Sequence, residues 1–512
     1  MSTRQVAKNS FWYSLELSVG VVTVLITSIV LSRTFGPEKL GYYNYFVWLT
    51  YIAGVLSTGG LQSTALKFMT EFLSKGDPAT AYLIYRMSWR IQMALSVIPV
   101  VIAVPLVWIY VPPESRWMAM LLIASVAPRM IGFIPAQINS ATQELYRNIP
   151  STLVSNLLTF AIIIASVKFD WGLIGLAASH PIGHTVDLII KLIMTADHRK
   201  AWKAAVPPGS HIDPEVLKRF RSFAFSGVGL LLLGVLVSNR CDVFLLRHLN
   251  PDMRQISFFS YAFTLMEKLL LVPQVLSGSL TLKLLNEQGR ERSQMSASAV
   301  ASGFYLLLIG LPVMLGAAAV SRPLWMIYGE KFAPAVPVFV VLAVFGVCRV
   351  VQPPAGTMLQ ATDHQGFLLW IGIICTAINL ALDALLIPSY GAMGAAIGNS
   401  AGQLIGTVMV WGFVIVKFKP DMMPGMMARV TGSALVMTAL VLLITTSLPP
   451  AAGAIIGIIS GVIIYVGMLR LTRALRPEDR GRLESLAGIL PASLRYPVNR
   501  LLWHLIPSAP AR

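Results

Sequence analysis

The sequence is poor in charged residues, and this scarcity excludes most classes of soluble protein. Only 12% of its 512 residues are charged, whereas 55% are hydrophobic. Soluble domains carry about 25% charged residues, and disordered chains need low hydrophobicity. The three cysteines, Cys241, Cys348 and Cys375, lie inside apolar runs without disulfide or metal spacing, which is typical of small core residues. A membrane-embedded chain remains.

Enzyme motifs and the features of a cleavable signal peptide are also missing. No phosphate-binding GxxxxGK[ST] loop is found, so ATP is not expected as the direct energy source, and no convincing nucleophile elbow is present. The opening segment leads into a long apolar run without an A-x-A cleavage site, so we expect an uncleaved first span. The chain is therefore interpreted as a membrane protein that is not an enzyme.

The sequence is rich in long apolar segments. Windows of about 19 residues predict about fourteen membrane spans. Their approximate limits are 10–32, 41–63, 91–111, 117–140, 150–167, 172–194, 222–246, 256–280, 299–320, 334–358, 367–388, 392–416, 430–448 and 452–470.

The basic residues indicate an orientation in the membrane. The net charge is +17, from 40 Lys and Arg against 23 Asp and Glu. With a cytoplasmic amino terminus, about 28 basic residues fall in loops and termini on that side and about eight on the other, as the positive-inside rule expects. Both termini are therefore predicted to be cytoplasmic, and the basic excess does not indicate nucleic-acid binding.

The two halves of the chain resemble each other. A segment beginning at Arg33, RTFGPEKLGYYNYF, matches RHLNPDMRQISFFSYAF beginning at Arg247. Arg129 and Arg349 each stand twelve residues before an Ala-Thr pair, and WGLIGLAASHPIG matches YGAMGAAIGNSAG. Six spans separate each matching pair, so the repeats share one orientation. Parallel repeats of this kind are typical of transporters.

The repeat predicts an all-α polytopic membrane protein with two parallel six-helix lobes and two additional carboxy-terminal helices. The predicted divisions are an N-lobe at 1–195, a cytoplasmic linker at 196–221, a C-lobe at 222–418, two further helices at 419–471 and a basic amphipathic cytoplasmic tail at 472–512.

The opening of the chain also resembles a known family. The residues that carry the resemblance are Leu31-Ser32-Arg33, Gly36-Pro37, Gly41, Tyr43, Gly59-Gly60-Leu61 and Lys67. They are similar to the opening of polysaccharide (O-antigen type) flippases, which belong to the multidrug, oligosaccharidyl-lipid and polysaccharide (MOP) exporter superfamily.

This resemblance implies a function, a location and partners. The chain would flip an undecaprenyl-diphosphate-linked oligosaccharide across the bacterial inner membrane, for synthesis of O-antigen, exopolysaccharide or capsule. A central cationic cavity between two lobes would alternate in access. Membrane lipids, the lipid-linked substrate and a polysaccharide polymerase with its chain-length machinery are the implied partners, and nucleic acid is not.

Basic residues inside spans are the first candidates for a substrate site, because a central Arg costs about 2.5–3.5 kcal/mol in the membrane. Arg129 and Arg349 occupy equivalent deep positions and are suited to a diphosphate, which takes bidentate donors. The other basic candidates for the cavity are Arg240, Lys268, Lys67 and Lys283. A structural pair with a carboxylate, or snorkelling of the lysines to lipid phosphates, is the alternative.

Acidic residues inside spans are candidates for binding a coupling proton or sodium ion, or for pairing with a cavity arginine. They are Glu16, Asp242, Glu267, Asp187 and Asp383. No other cofactor is expected. His180 and His184 share a helix face, but no third ligand stands nearby, so helix packing or a proton relay is favoured over a metal site. Tyr42, Tyr43 and Tyr45 are interpreted as an interfacial aromatic belt.

Three other functions stay open. A flippase for the peptidoglycan precursor lipid II would share the fold and a similar head group. A cation-coupled multidrug exporter would favour an acidic lumen over the deep arginines found here. A membrane-embedded polysaccharide polymerase or ligase would need a large periplasmic loop, and no loop is predicted to exceed about 30 residues, which leaves no room for an extramembrane domain.

Overall fold

The computed structural model describes residues 3–58, 60–237, 241–286, 292–477, 479–487 and 500. Over these ranges the chain is almost entirely α-helical, with two short 3₁₀ segments at Leu145–Arg147 and Glu330–Phe332 and no β-strand. The chain divides into two compact units, Met1–Cys241 and Asp242–Arg512.

Among its described residues, the first unit contains ten helices. They are α1 (Thr3–Thr58), α2 (Leu61–Ser74), α3 (Pro78–Tyr110), α4 (Pro113–Ala124), α5 (Val126–Ile131), α6 (Phe133–Ala141), α7 (Ile149–Lys168), α8 (Gly172–Met194), α9 (Ala196–Ala204) and α10 (Pro214–Val237).

The second unit begins within the first turn of the next helix. Its helices are α11 (Cys241–Leu249), α12 (Met253–Asn286), α13 (Arg292–Ala319), α14 (Ser321–Tyr328), α15 (Ala335–Ala361), α16 (Gln365–Tyr390), α17 (Ala392–Phe418), α18 (Pro424–Thr446), α19 (Pro450–Leu471) and α20 (Asp479–Ala487).

The helices confirm the predicted fold class. Among the described residues, eleven segments are long and apolar enough to cross a membrane. One of them, Ser18–Thr58, covers most of the first two predicted spans, 10–32 and 41–63, because α1 is two helices joined at Gly36. The predicted seventh and eighth spans correspond to α10 with α11 and to α12, which adjoin residues outside the description. The chain is an all-α, multi-pass membrane protein.

The joint within α1 depends on its Gly-Pro pair. Gly36 has φ 72° and ψ 168°, a backbone conformation open to glycine and strained for other residues. Pro37 lacks the N–H that would continue the hydrogen-bond ladder. The helix therefore breaks at one residue and restarts at once, which agrees with the sequence prediction of two spans separated near this position.

Helix α10 packs on α2 within the first unit. A Cβ built on Gly60, which has φ +68°, would lie 2.8 Å from the Ala224 carbonyl oxygen and 2.9 Å from Gly227 Cα. The Phe68 and Phe220 rings lie 5.4 Å apart. The unit boundary thus falls after α10, at 241/242, whereas the repeat predicts a second lobe from 222 onward; the lobe limits remain a prediction.

Part of the predicted linker is a helix attached to the first unit. In α9, Trp202 is buried in a hydrophobic cluster that includes Phe68 of α2. Arg147 Nη1 donates to Asp197 Oδ2 at 2.6 Å, and this bond holds the pKa of the Asp197 carboxyl below its usual value. Glu144 lies 2.7 Å from the Arg147 guanidinium. The segment after α8 is therefore fixed by both apolar burial and charge.

The start of the predicted tail is docked on the second unit. Asp479 is buried, and its Oδ1 accepts a hydrogen bond of 2.7 Å from the Tyr305 hydroxyl. Its Oδ2 accepts from the Arg476 backbone N–H at 2.8 Å. Leu475 and Leu483 are buried in the cluster formed with α13, α18 and α19. The residues that follow 487, apart from 500, lie outside the description.

Candidate functional site

Two arginines occupy the middle of membrane spans, one in each unit. Arg129 lies in α5, within the candidate span Pro113–Ala141, and Arg349 lies in α15, within the span Ala335–Ala361. Both side chains are partly buried. Repeat-related positions in the sequence thus correspond to similar depths in the helices, since each arginine stands about halfway along its span. Their assignment to a substrate cavity remains a prediction.

In the first unit, the surroundings of Arg129 are polar. The hydroxyl of Tyr43 in α1 forms a 2.6 Å hydrogen bond with Nε2 of His180 in α8. Arg129 lies close enough to His180 and His184 for its charge to act on both imidazoles. Tyr43 is only 7% exposed, so its assignment to a lipid-facing aromatic belt was wrong. The hydrogen bond to His180 satisfies the Tyr43 hydroxyl away from water, so this side chain can be buried.

The same face of α8 carries an ion pair further along. Lys191 Nζ donates to Asp187 Oδ2 at 2.6 Å, and both residues are buried. A Cβ built on Gly132 would lie 3.7 Å from Asp187 Oδ2, so the carboxylate faces the junction of α5 and α6. With His180 and His184, these residues form a polar stripe at helical spacing. Asp187 is therefore held by a lysine on its own helix.

In the second unit, a carboxylate pair lies in a helix seam. Asp242 in α11 and Asp383 in α16 are both fully buried. Asp242 accepts hydrogen bonds of 3.2 Å from the amides of Asn379 and Asn399. Asp383 lies near enough for charge interaction with Asp242, and neither of its oxygens accepts a hydrogen bond from a described donor. A Cβ added at Gly398 would collide with Asp383 Oδ1.

Arg349 contacts this seam through the amide of Asn399. Its Nη2 donates to Asn399 Oδ1 at 3.1 Å, while the Asn399 amide nitrogen donates to Asp242. The guanidinium also lies 5.4 Å from the centre of the Phe263 ring. The structure thus brings two predicted site residues, Arg349 and Asp242, together around Asn399.

The remaining predicted site residues are more scattered. Glu267 and Lys268 lie in α12 and are partly buried. Lys67 in α2 is exposed, and its ammonium stands 3.8 Å from the centre of the Phe223 ring. Arg240 lies outside the described residues, and so do the side chains of Glu16 and Lys283, which belong to α1 and α12.

Sequence reasoning missed Asn379 and Asn399 because it searched spans for ionisable residues. Both are about 2% exposed, and each donates to Asp242. Two signals could have found them. Asn379 stands four residues before Asp383 on one helix face, and Asn399 occupies the place that His180 holds in the first repeat. This repeat position lies beside an arginine in both units: His180 lies near Arg129, and Asn399 accepts from Arg349.

The described part of the chain contains no cluster of three or more His, Cys, Asp or Glu side chains that could hold a metal ion. The seam in the second unit instead offers two carboxylates and two amides. Oxygen ligands of this kind suit a hard cation, and a buried carboxylate can also take up a proton.

Known proteins share short stretches of sequence with the chain. No protein-family model matches the chain. A "Probable low-salt glycan biosynthesis flippase Agl15" of Haloferax volcanii is 29% identical over 139 residues, which cover 26% of this chain. The "Lipopolysaccharide biosynthesis protein WzxC" of Escherichia coli is 29% identical over 120 residues, or 22% of this chain. These matches span only 29% and 24% of the relatives' own lengths.

Solved structures extend the likeness over most of the chain at the level of fold. "Lipid II flippase MurJ" in an inward closed conformation matches with a TM-score of 0.67 at 14% identity, covering 90% of this chain and 98% of its own. A multidrug resistance MATE family transporter of the MOP superfamily, in an inward-facing conformation, matches with a TM-score of 0.64 at 13% identity, covering 78% and 94%.

A MOP superfamily transporter from Pyrococcus furiosus, described as having a binding pocket of reverse polarity, matches with a TM-score of 0.59 at 14% identity, covering 81% and 95%. The resemblance seen in the opening residues is confirmed: the chain has the fold of the MOP-superfamily transporters, and part of it is similar in sequence to a glycan biosynthesis flippase and a lipopolysaccharide biosynthesis protein.

Proposed function

We propose that this protein flips a polyprenyl-diphosphate-linked oligosaccharide across the bacterial inner membrane, as a step in the assembly of a surface polysaccharide. The observation that carries the proposal is the pair of mid-span arginines, Arg129 and Arg349, placed at matching depths in two repeats of a transporter fold. The two proteins similar to part of the chain, a glycan biosynthesis flippase and a lipopolysaccharide biosynthesis protein, support a glycan substrate.

The chemistry of the arginines supports an anionic cargo. An arginine in the membrane interior carries a free-energy cost, so a cationic centre kept there in each repeat has a functional use. Guanidinium groups bind phosphate oxygens in bidentate geometry and stay charged at every physiological pH. A diphosphate head group meets these requirements, whereas the cationic drugs that multidrug exporters carry would be repelled.

We further propose that Asp242 and Asp383 bind the coupling proton or sodium ion. Two carboxylates that are both fully buried and close in space cannot both stay charged without a compensating cation, because desolvation and mutual repulsion act together. Protonation of one group, or binding of Na⁺ between the two, removes this cost. An ion gradient could therefore act on the second unit at this seam.

Complementation of export tests the flippase proposal. The wild-type gene and its Arg129→Ala and Arg349→Ala variants would be expressed in a host that lacks its own O-antigen flippase, and surface polymer would be measured. We expect the wild type to restore polymer and each variant to lower it at least tenfold, at equal amounts of membrane-inserted protein. Arg86→Ala, at an exposed position in α3, is the matched control and should export normally.

Expression in further hosts separates the proposal from its alternatives. Rescue of cells depleted of their lipid II flippase, without restored O-antigen, would assign the chain to the peptidoglycan precursor. Increased drug resistance without polymer export would assign it to multidrug efflux. Normal export by both arginine variants would remove the anionic head group from these two positions.

The coupling role has its own experiment. Translocation into proteoliposomes would be measured with an imposed proton gradient, an imposed sodium gradient or none, for the wild type and for Asp383→Asn. We expect one gradient to accelerate the wild type severalfold and to leave Asp383→Asn unaccelerated. A variant that keeps its full response to the gradient would exclude Asp383 as the cation site.

Location and partners complete the proposal. Both termini are proposed to face the cytoplasm, and cytoplasmic activity of reporter proteins fused at each end is the expected result. A polysaccharide polymerase with its chain-length machinery would receive the flipped oligosaccharide on the opposite side. Crosslinking in membranes would detect such a contact.

A further inference from the structure

Asn399 joins the cationic and the anionic groups of the second unit. We propose that it is a positioning residue that couples cation binding at Asp242 and Asp383 to anion binding at Arg349. The inference rests on the proposed function, since it takes Arg349 as an anion site, and it adds the element by which the two events communicate.

The contacts give the Asn399 amide one orientation. Its Oδ1 accepts from Arg349 Nη2 at 3.1 Å, and its Nδ2 donates to Asp242 Oδ2 at 3.2 Å. A flipped amide would set its NH₂ group against the guanidinium donors and its oxygen against the carboxylate, and both contacts would be repulsive. Asn399 is 2% exposed, so water does not readily replace either partner. While Asp242 is charged, the amide therefore keeps Arg349 engaged.

Binding of a cation makes the Asp242 carboxylate a weaker hydrogen-bond acceptor. A proton or Na⁺ placed between Asp242 and Asp383 engages the carboxylate oxygens and cancels charge beside Asn399. The acceptor that orients the Asn399 amide is then weakened, so the side chain can turn and its oxygen can leave Arg349. The guanidinium then has more of its donors available for phosphate oxygens. Cation occupancy should thus strengthen anion binding, and by thermodynamic reciprocity anion binding should strengthen cation binding.

The first unit shows why the carboxylates matter. His180 holds the repeat position of Asn399 and likewise lies near an arginine, Arg129. Its hydrogen-bond partner, however, is the neutral hydroxyl of Tyr43 rather than a carboxylate. An arginine beside a polar residue thus occurs twice, at His180 in α8 and at Asn399 in α17, and the second unit adds the Asp242 carboxylate as a partner of that residue. The coupling is therefore assigned to the second unit.

Calorimetry on the full chain purified in detergent tests this coupling. Inorganic pyrophosphate is the probe, titrated at constant ionic strength in choline chloride and in sodium chloride at pH 8, and in choline chloride at pH 6. The readout is the ratio of dissociation constants without and with the cation. For the wild type we expect a ratio of at least about fivefold for sodium or for protons, within the usual range of coupling between sites.

The variants separate coupling from packing. Asn399→Leu should bring the ratio to within about twofold of unity, whereas Ser400→Ala should keep the wild-type ratio. Ser400 is a matched control because it is the next residue of α17, is 3% exposed, and its hydroxyl has no hydrogen-bond partner in the described part of the chain. If Asn399→Leu aggregates, Asn399→Ala replaces it: a methyl group can neither accept from Arg349 nor donate to Asp242, and the ratio should again be lost.

Each other outcome overturns the inference. A wild-type ratio of one, a wild-type ratio kept in both Asn399 variants, or equal losses in Asn399→Leu and Ser400→Ala would each do so. Arg349→Gln identifies failure of the proposed function separately. If that variant binds pyrophosphate as tightly as the wild type, Arg349 is not the anion site, and the coupling role of Asn399 falls with it.

Discussion

Tyr43 and His180 are joined by a 2.6 Å hydrogen bond between the phenol hydroxyl and the imidazole Nε2. The bond connects α1 to α8 across 137 positions of sequence, beside the charge of Arg129. Because Tyr43 is buried, its hydroxyl has lost contact with water and depends on this partner. The pair therefore fixes the imidazole next to the candidate anion site.

Tyr43→Phe should lower the free energy of unfolding by about 1 kcal/mol, since it removes one hydrogen bond from a buried site and leaves the packing unchanged. Thermal unfolding of the purified protein would show a lower midpoint. Tyr42→Phe is the matched control, because Tyr42 is the neighbouring residue and is only partly buried. Equal midpoints for the two variants would contradict a stabilising role for the bond.

Gly60→Ala should destabilise the first unit by about 2 kcal/mol or more, because it combines an unfavourable positive φ with a steric collision. The new Cβ would meet backbone atoms of α10, which cannot move aside as a flexible side chain can. Gly76→Ala isolates the first cause, since Gly76 has φ +73° and nothing within 4 Å of an added Cβ. The thermal midpoint of Gly60→Ala should lie clearly below that of Gly76→Ala. Similar midpoints would contradict the close approach of α2 to α10.

The contact between α2 and α10 should also depend on pH. Hydrogen bonds from Lys75 and Arg219 hold the pKa of Glu71 below its usual value. Stability from this group is therefore present above the pKa of the unfolded chain, about 4.3, and is lost as the pH falls through the lower folded value.

The contribution of Glu71 should be small, below about 1 kcal/mol, because these charges are exposed and screened by solvent. The difference in thermal midpoint between the wild type and Glu71→Gln should be found at pH 7, and should shrink at pH 3.5 and in high salt. A difference that persists in acid would mean that Glu71 acts through packing rather than through charge.

Release of the carboxy-terminal segment provides a prediction for the second unit. Asp479→Ala removes the acceptor for the Tyr305 hydroxyl and for the Arg476 N–H, so the turn before α20 should open. Trypsin cleavage after Arg480 should then be at least several times faster. Glu484→Gln removes only the pair with Arg480 and is the control. An unchanged cleavage rate would show that Leu475 and Leu483 alone keep this segment in place.

Much of the fold could be predicted from composition and periodicity. Apolar runs of about 20 residues have few alternatives to membrane helices, and the Gly36-Pro37 break was visible as a turn signal. The repeat placed Arg129 and Arg349 at matching positions, and the helices place both near the middle of their spans. These features depend on local sequence, which is why sequence reasoning reached them.

The contacts of the candidate site depend on which helix faces meet, and sequence did not show this. Asp242 and Asp383 are 141 positions apart, and only the packing of α11, α16 and α17 brings Asp242 to Asn379 and Asn399 beside Asp383. Tyr43 was misassigned for a related reason: an aromatic residue near a helix end satisfies the pattern of a membrane interface and of a buried hydrogen-bonded site equally well.

The direct backbone contact of Gly60 with Gly227 also dictates how this protein can be divided into two polypeptides. A cut in the loop near Gly209, where the repeat would suggest it, separates α10 from the surface that it fits. A fragment that keeps α10 with the preceding helices should accumulate in the membrane, whereas one cut before α10 should be degraded by membrane proteases of the cell.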